Sequence, residues 1–329
     1  MRILICGLGS IGRRHLRNLV SLGQRDIVLY RSGNSTLPEE ELKDYPMESD
    51  LSAALERFAP EAALVTNPTA LHMEVAVPAA RRGCQVFIEK PVSDGLEGVH
   101  ELRKAVAESG RRTLVGFQYR YHPGLLLAKR LVEEGTLGEP LSAQAMYGDY
   151  LPDWHPWEDY RTSYAARSEL GGGVLLTLCH PFDTLRWILG EVEAVTARTK
   201  AVKEFDLDVE TLASVILEHT GGALASVNLG YHQRPMRHSL EIVGTAGTLR
   251  WDQTDGSLRW WTADRNEWQE QPGPSGNERN TMFMDEMQHF LQVIDGEGEP
   301  ACTLDDGIKA LEISLAARRS VAEGGRVKL

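Results

Sequence analysis

The sequence is poor in cysteine, in positive charge and in long apolar runs. Its 329 residues include only four cysteines, Cys6, Cys84, Cys179 and Cys302, widely spaced. No CxxC and no Cys/His ligand spacing occurs, which argues against structural zinc, any other metal site and a disulfide framework. Four free thiols fit a reducing cytoplasm. Lys and Arg number 35 against 47 Asp and Glu, a formal net charge of −12. That balance argues against a nucleic-acid surface. No apolar stretch is long enough to span a bilayer, so no membrane partner is expected. The first residues run into Arg2-Ile3-Leu4-Ile5-Cys6 with no signal-peptide pattern.

What is present is a regular alternation. Apolar runs at 2–6, 27–30, 61–68, 84–91 and 113–117 read as strands. Amphipathic stretches at 11–22, 51–58, 72–83 and about 96–109 read as helices, with Pro78 a kink in the third. Strand and helix in turn over some 120 residues predict an α/β, doubly wound parallel sheet. The rhythm then changes. A helix at 123–134 and a strand near 140–148 lead to a loop rich in Trp, Tyr and Pro. The glycine triplet 171–173 opens a helix running to Leu189. Strand-like runs from about 192 to 262 predict a mixed or antiparallel sheet, and helices at 281–295 and 305–323 close the chain. The division expected is therefore 1–120 and 121–329.

The first turn carries chemistry. "GLGSIGRRH" (7–15) follows a strand and opens a helix, the context in which a GxGxxG turn holds a dinucleotide. Gly7 permits the tight turn, Gly9 lets the backbone approach a pyrophosphate, and Gly12 lets helix and strand pack closely. The pyrophosphate meets the free N–H groups at the helix start, at Ser10 and Ile11. Arg13, Arg14 and Arg17 offer a basic cluster nearby. An NAD-specific turn carries an acidic residue about 20 residues further on. Here that position is Arg31-Ser32, with no carboxylate in Tyr30–Asn34. A guanidinium beside a hydroxyl suits a 2′-phosphate, so NADP is expected over NAD. Arg31 as a solvated loop residue is the alternative.

Several segments together resemble the Gfo/Idh/MocA oxidoreductases, the glucose-fructose oxidoreductase and inositol dehydrogenase family. They are "GLGSIGRRH" (7–15), "TNPTALH" (66–72), "EKPVS" (89–93), "VGFQYRYHP" (115–123), "GGGVLLTLCHPFDTLRWILG" (171–190), "GTAGTLRWD" (244–252) and "MFMDEMQHFLQVIDG" (282–296). The resemblance implies a Rossmann domain followed by an α/β domain on a large open, mostly antiparallel sheet. It implies a homodimer or homotetramer joined through that sheet, and a substrate that is a sugar, sugar acid, nucleotide sugar or cyclitol.

Lys90 lies just past a strand end, where such a sheet places its ligand crevice. An ammonium there stabilises charge on a reacting oxygen, and the resemblance makes Lys90 the active-site lysine, with Pro91 fixing its turn. His180 suits proton transfer and aligns with the family histidine. Asp183, one helical turn on, is placed to share its face and orient the ring, or to be a packing carboxylate. Where many members carry an aspartate one turn before the histidine, this chain has Thr177 beside Leu176, which shifts the proton-transfer burden to His180 and Lys90. Further cofactor contacts are expected from Asn67, Pro68, His72, Glu89, Lys90 and Gln118. Substrate contacts are expected from Arg120 and His180, and from Trp154, Tyr160 and Arg161 of a lid-like loop whose aromatic faces suit sugar C–H surfaces. Similar loops in the family favour an acidic or nucleotide-linked sugar; a packing or interface loop is the alternative. The function expected is an NAD(P)-dependent dehydrogenase acting on CH–OH groups. The alternatives are a sugar oxidoreductase that retains its nucleotide, and a non-catalytic nucleotide-binding sensor.

Overall fold

The structure, a computed structural model, describes residues 1–31, 37–274 and 279–329. They form two units, Met1–Phe117 with Asn280–Ile308, and Gln118–Arg279 with Lys309–Leu329. The sequence places everything after 120 in one C-terminal domain; the structure returns 280–308 to the first unit.

The first unit runs β1 (Ile3–Cys6), α1 (Ser10–Ser21), β2 (Ile27–Tyr30), β3 (Met47–Glu48), α2 (Leu51–Phe58), β4 (Ala62–Val65), α3 (His72–Arg81), β5 (Gln85–Glu89), α4 (Val99–Ser109) and β6 (Thr113–Gly116). All its strands pair in parallel, in the order β3-β2-β1-β4-β5-β6. β1, β4, β5 and β6 are buried at every residue, which is why they read as unbroken apolar runs. Pro78 lies inside α3. The strand order reverses between β1 and β4, and the loops after β1, β4 and β5 leave from carboxyl ends, where an open α/β sheet binds its ligands.

The second unit begins with α5 (Pro123–Glu133), β7 (Pro140–Tyr150), α6 (Val174–Thr177) and α7 (His180–Leu189). The single helix expected to run from the glycine triplet to Leu189 is thus broken in two. Pro181 is the reason: it has no N–H to donate and its ring clashes with the carbonyl four residues back, so it sits in the first turn of a new helix. There follow β8 (Val192–Lys200), β9 (Leu212–His219), β10 (Leu224–Gly230), β11 (His232–Gly244), β12 (Gly247–Asp252), β13 (Leu258–Thr262) and β14 (Glu267–Gln271). The chain ends with α8 (Arg279–Ile294), α9 (Leu304–Glu323) and β15 (Val327–Lys328). The nine strands of this sheet run β14-β13-β12-β11-β7-β10-β9-β8-β15, antiparallel except for β7 with β10. Alternation sets its faces: Ala143, Ala145, Val215, Leu217, Val227 and Leu229 are buried, while Gln144, Ile216 and Asn228 are exposed on the other side.

The return of 280–308 has a packing cause. Phe283, Met287 and Phe290 of α8 form an apolar stripe. Met287 and Phe290 join Ile3, Ile5, Leu64, Phe87 and Leu114 in one core cluster. No described helix is long and apolar enough to cross a membrane.

Candidate active site

The glycine turn is shaped by contacts that admit no side chain. Gly7 has φ +97°, and a Cβ there would lie 2.5 Å from the Asn67 backbone nitrogen. A Cβ at Gly12 would lie 2.0 Å from the Gly7 carbonyl oxygen. Thr66 holds this carbonyl, donating its hydroxyl to Gly7 at 2.7 Å and to Cys6 at 3.0 Å. Gly9 differs: a Cβ there would meet nothing within 4 Å. The protein itself does not require glycine at this position; a close-lying ligand would. Gly9 is also the N-cap of α1 and gives it no side-chain cap. The helix thus starts at Ser10 and Ile11 with no cap from its N-cap residue, the kind of helix start that receives a phosphate.

The basic cluster expected to meet that phosphate is turned elsewhere. Arg13 is buried and donates to the carbonyls of Leu8 (3.0 Å), Pro38 (2.6 Å) and Leu37 (3.3 Å). Arg17 makes a two-pronged pair with Glu41, and Arg14 lies over the Phe283 ring at 4.6 Å. A guanidinium buried beside backbone carbonyls gains more from them than from a distant site. Arg31, just past β2, pairs with Glu39 at 2.7 Å. Ser32 lies outside the described residues.

The loops after β4 and β5 are stapled together by His72. Its Nε2 lies 2.9 Å from the Asn67 carbonyl oxygen, and its Nδ1 3.0 Å from that of Pro91 and 3.2 Å from that of Val92. Burial pushes the ring below the usual histidine range, against the pull of those carbonyls. His72 was expected at the cofactor; both its ring nitrogens are taken up by the backbone carbonyls of these loops. Asn67 is different: its side-chain oxygen is buried and without a partner, as a group prepared for a polar ligand would be. Pro68 precedes the short turn Thr69–Leu71 that leads into α3. Lys90 follows β5 directly, half-buried, and its bond to Pro91 is cis. Glu89, expected at the cofactor, instead turns into the unit. Its Oε1 lies 2.8 Å from His15 Nε2, and its Oε2 accepts the Lys90 backbone N–H at 3.2 Å. Burial, the largest single influence, would raise this carboxyl, but the hydrogen bonds and charges of His15 and Lys90 together outweigh it and hold it below the usual carboxylate range.

In the second unit His180 is the first residue of α7 and is buried. Its ring lies edge-on to Tyr119 at 4.9 Å and tilted to Tyr147 at 5.9 Å. Tyr147 in turn stacks on His238 at 4.4 Å. Asp183 accepts a bidentate pair from Arg120, at 3.0 Å from Nε and 2.6 Å from Nη2, with both side chains almost fully buried. Arg120 also lies over the Trp187 ring. Arg120 was expected at the substrate and Asp183 beside His180; the two buried charges pair with one another, as burial of a charge demands. The Thr177 hydroxyl donates to the Gly173 carbonyl at 2.7 Å and bonds the Tyr231 hydroxyl. Gln118 is buried, its side-chain oxygen without a partner. In the lid-like loop, Trp154 lies edge-on to Tyr231, Tyr160 donates to the Phe205 carbonyl, and Arg161 pairs with Asp159 over the Tyr160 ring. Sequence reading missed Tyr119, Tyr147 and His238. Alternation turns Tyr147 inward, but only the register opposing it to His238 across β7 and β11 brings the rings together.

Comparison with known proteins follows the same division. Residues 1–117 match the family model described as an oxidoreductase family with an NAD-binding Rossmann fold, and residues 125–250 match the GFO/IDH/MocA C-terminal domain. The chain belongs to the GFO/IDH/MocA oxidoreductase family. Among its relatives, a myo-inositol 2-dehydrogenase of Thermotoga maritima is 28% identical, over 100% of this chain and 98% of that protein. A scyllo-inositol 2-dehydrogenase (NAD(+)) of Bacillus subtilis is 26% identical, over 100% of this chain and 96% of that protein. A levoglucosan dehydrogenase solved in complex with NADH and levoglucosan has the same fold, with a TM-score of 0.87 at 21% identity, over 100% of this chain and 99% of that one.

Proposed function

We propose that this oxidoreductase interconverts a hydroxyl and a keto carbon on a sugar, sugar acid, nucleotide sugar or cyclitol. The observation that carries the reading is the glycine turn. Gly7 and Gly12 are required by their neighbours, Gly9 is open, and Lys90 leaves the same carboxyl edge of the sheet. Gly9, Ser10, Ile11 and Asn67 hold the dinucleotide. A nicotinamide bound there would supply or take up the hydride. Lys90 holds the reacting oxygen and stabilises charge on it, while His180 takes or returns its proton. Thr177 has no carboxylate and stays with Tyr231, so the proton passes through His180 and Lys90. The relatives named for inositols and levoglucosan support a polyol or anhydrosugar as the first substrates to try.

The nucleotide is NADP(H) in preference to NAD(H), on the strength of Arg31 at the end of β2. Its guanidinium is shared with Glu39, which a 2′-phosphate displaces. Relief of that competition in Glu39→Gln raises kcat/KM for NADPH relative to NADH. Equal efficiency with both nucleotides in the parent and in this variant refutes the preference. The exposed face of the nine-stranded sheet bears a groove of about 990 Å³ lined by residues that include Met146, Asn228, Arg250 and Trp268. It joins a second copy of the chain, giving a dimer or tetramer. The four thiols, all buried and none of them in a disulfide, suit a cytoplasmic setting.

The test is substitution. Lys90→Ala and His180→Ala each lower kcat by about 10²–10⁴-fold with the nucleotide Kd little changed, read by fluorescence titration beside steady-state rates. Near-parent turnover in either variant removes that residue from the mechanism.

A further inference from the structure

Three ionisable side chains of the first unit have no part in the chemistry above: His15 on α1, Glu89 on β5 and Glu286 on α8. His15 and Glu286 are fully buried and Glu89 almost so. They meet through a shared apolar frame. Phe283, Glu286, Met287 and Phe290 are spaced i, i+3, i+4, i+7 and so lie along one face of α8. At one end of this face the Phe283 ring lies 6.1 Å from His15. At the other end Phe290 lies 5.5 Å from Phe87, which itself touches His15 at 4.9 Å. Phe87 and Glu89 are two residues apart on β5, hence on one face of the sheet. Glu286 is thus set between the helix residues that flank the His15–Glu89 pair. Gly116 on the neighbouring strand leaves room for the Glu89 carboxylate: a Cβ there would lie 3.3 Å from its Oε1.

No N–H or O–H donor of the described residues reaches either oxygen of Glu286. An apolar residue would fill such a place at no desolvation cost. Two carboxyls sharing one dry interior do not both ionise. The environments separate them. Burial, and then the charge of Glu89, push Glu286 well above the ordinary carboxylate range, whereas His15 keeps Glu89 charged. That charge reaches the active site by one bond, from Glu89 Oε2 to the Lys90 backbone N–H.

We propose that Glu286 is a positioning residue for Lys90, a neutral acid whose proton, together with that of His15, fixes the Glu89 carboxylate against the Lys90 backbone. The inference rests on the role given to Lys90 above. It separates the EKP motif into a working residue, Lys90, and a buried handle, Glu89, gripped from α1 and α8.

The test compares Glu286→Gln, which keeps a neutral donor, with Glu286→Leu, which removes it. Glu286→Leu lowers kcat by about 10-fold or more, as a displaced catalytic group does, with KM for the nucleotide within about 3-fold. Glu286→Gln restores kcat to within about 3-fold of the parent. Infrared spectra of the nucleotide-free protein supply a second readout. A protonated carboxylic acid C=O band, shifting in heavy water, is present in the parent and absent from Glu286→Gln. An unchanged kcat in Glu286→Leu, an equal loss in both variants, or the absence of that band from the parent overturns the proposal. Should Glu286→Leu not fold, the band and the rate of Glu286→Gln decide. If Lys90→Ala retains turnover, the reading of Lys90 fails; if Lys90→Ala is inactive and Glu286→Leu is not, this inference alone fails.

Discussion

At the scale of the residue, the three glycines of the first turn do different things, and the difference is measurable. Gly12→Ala drives a Cβ into the Gly7 carbonyl, and overpacking of this kind costs about 1–3 kcal/mol. Gly9→Ala meets no protein atom. It leaves the melting temperature unchanged but weakens nucleotide binding by about 10-fold or more, equivalent to about 1.4 kcal/mol. Thermal melts beside nucleotide titrations check this; equal loss of melting temperature in both variants contradicts it. The motif was legible because GxGxxG is local. The environment of Arg13, Arg17, Glu89 and His72 was not, since each is set by a partner far along the chain: Pro38, Glu41, His15 and Pro91. Sequence names the charged or ring-bearing residue beside a site but does not say which way it turns.

At the scale of the element, buried pairs decide what the helices and strands can tolerate. α7 carries Asp183, and its bidentate partner Arg120 lies on the short turn Gln118–Tyr121. Removal of one partner leaves a buried charge, so Asp183→Ala costs about 3–5 kcal/mol, read as a lowered urea midpoint; a change under about 1 kcal/mol contradicts a buried pair. Two buried rings, His238 on β11 and His122 at the start of α5, supply a pH dependence. Burial pushes His238 down to about 3 and His122 down to about 4. Both rings are neutral when folded at neutral pH, but they take up protons in the unfolded chain below about pH 6.5. The stability they contribute is therefore full above about pH 6.5. It falls as the pH drops toward 4, by about 1.4 kcal/mol per pH unit for each ring. Urea midpoints between pH 7 and 4.5 check the slope, and His238→Phe flattens it; an unchanged slope in that variant contradicts the assignment. The strands and most helices were legible from their periodicity. The break before α7 was missed because the apolar pattern runs through 174–189 while Pro181 forbids one helix. β3 and β15, with two residues each, and the polar β14 carry too little pattern to be read.

At the scale of the whole molecule, the parallel and the mostly antiparallel sheets were both foreseeable from the change of rhythm near 120. The return of 280–308 to the first unit was not. An amphipathic helix announces an apolar face, not the sheet that will cover it, and only the structure shows Met287 and Phe290 in the core of β1, β4, β5 and β6. The sheet of the second unit leads to a prediction about assembly. Sedimentation velocity gives a dimer or tetramer, and a charge placed at exposed Ile216 on the outer face shifts it toward monomer; a monomeric parent chain contradicts the role given to that face. The central claim is catalytic, and one measurement addresses it most directly. The protein, with NADP+ or NAD+ bound, is offered a panel of inositols, anhydrosugars and sugar acids while reduced nicotinamide is followed by its absorbance. The account predicts turnover on at least one of them, abolished in Lys90→Ala although that variant still binds the nucleotide. Nucleotide bound with no turnover across the panel would contradict it and make the protein a sensor built on an oxidoreductase fold.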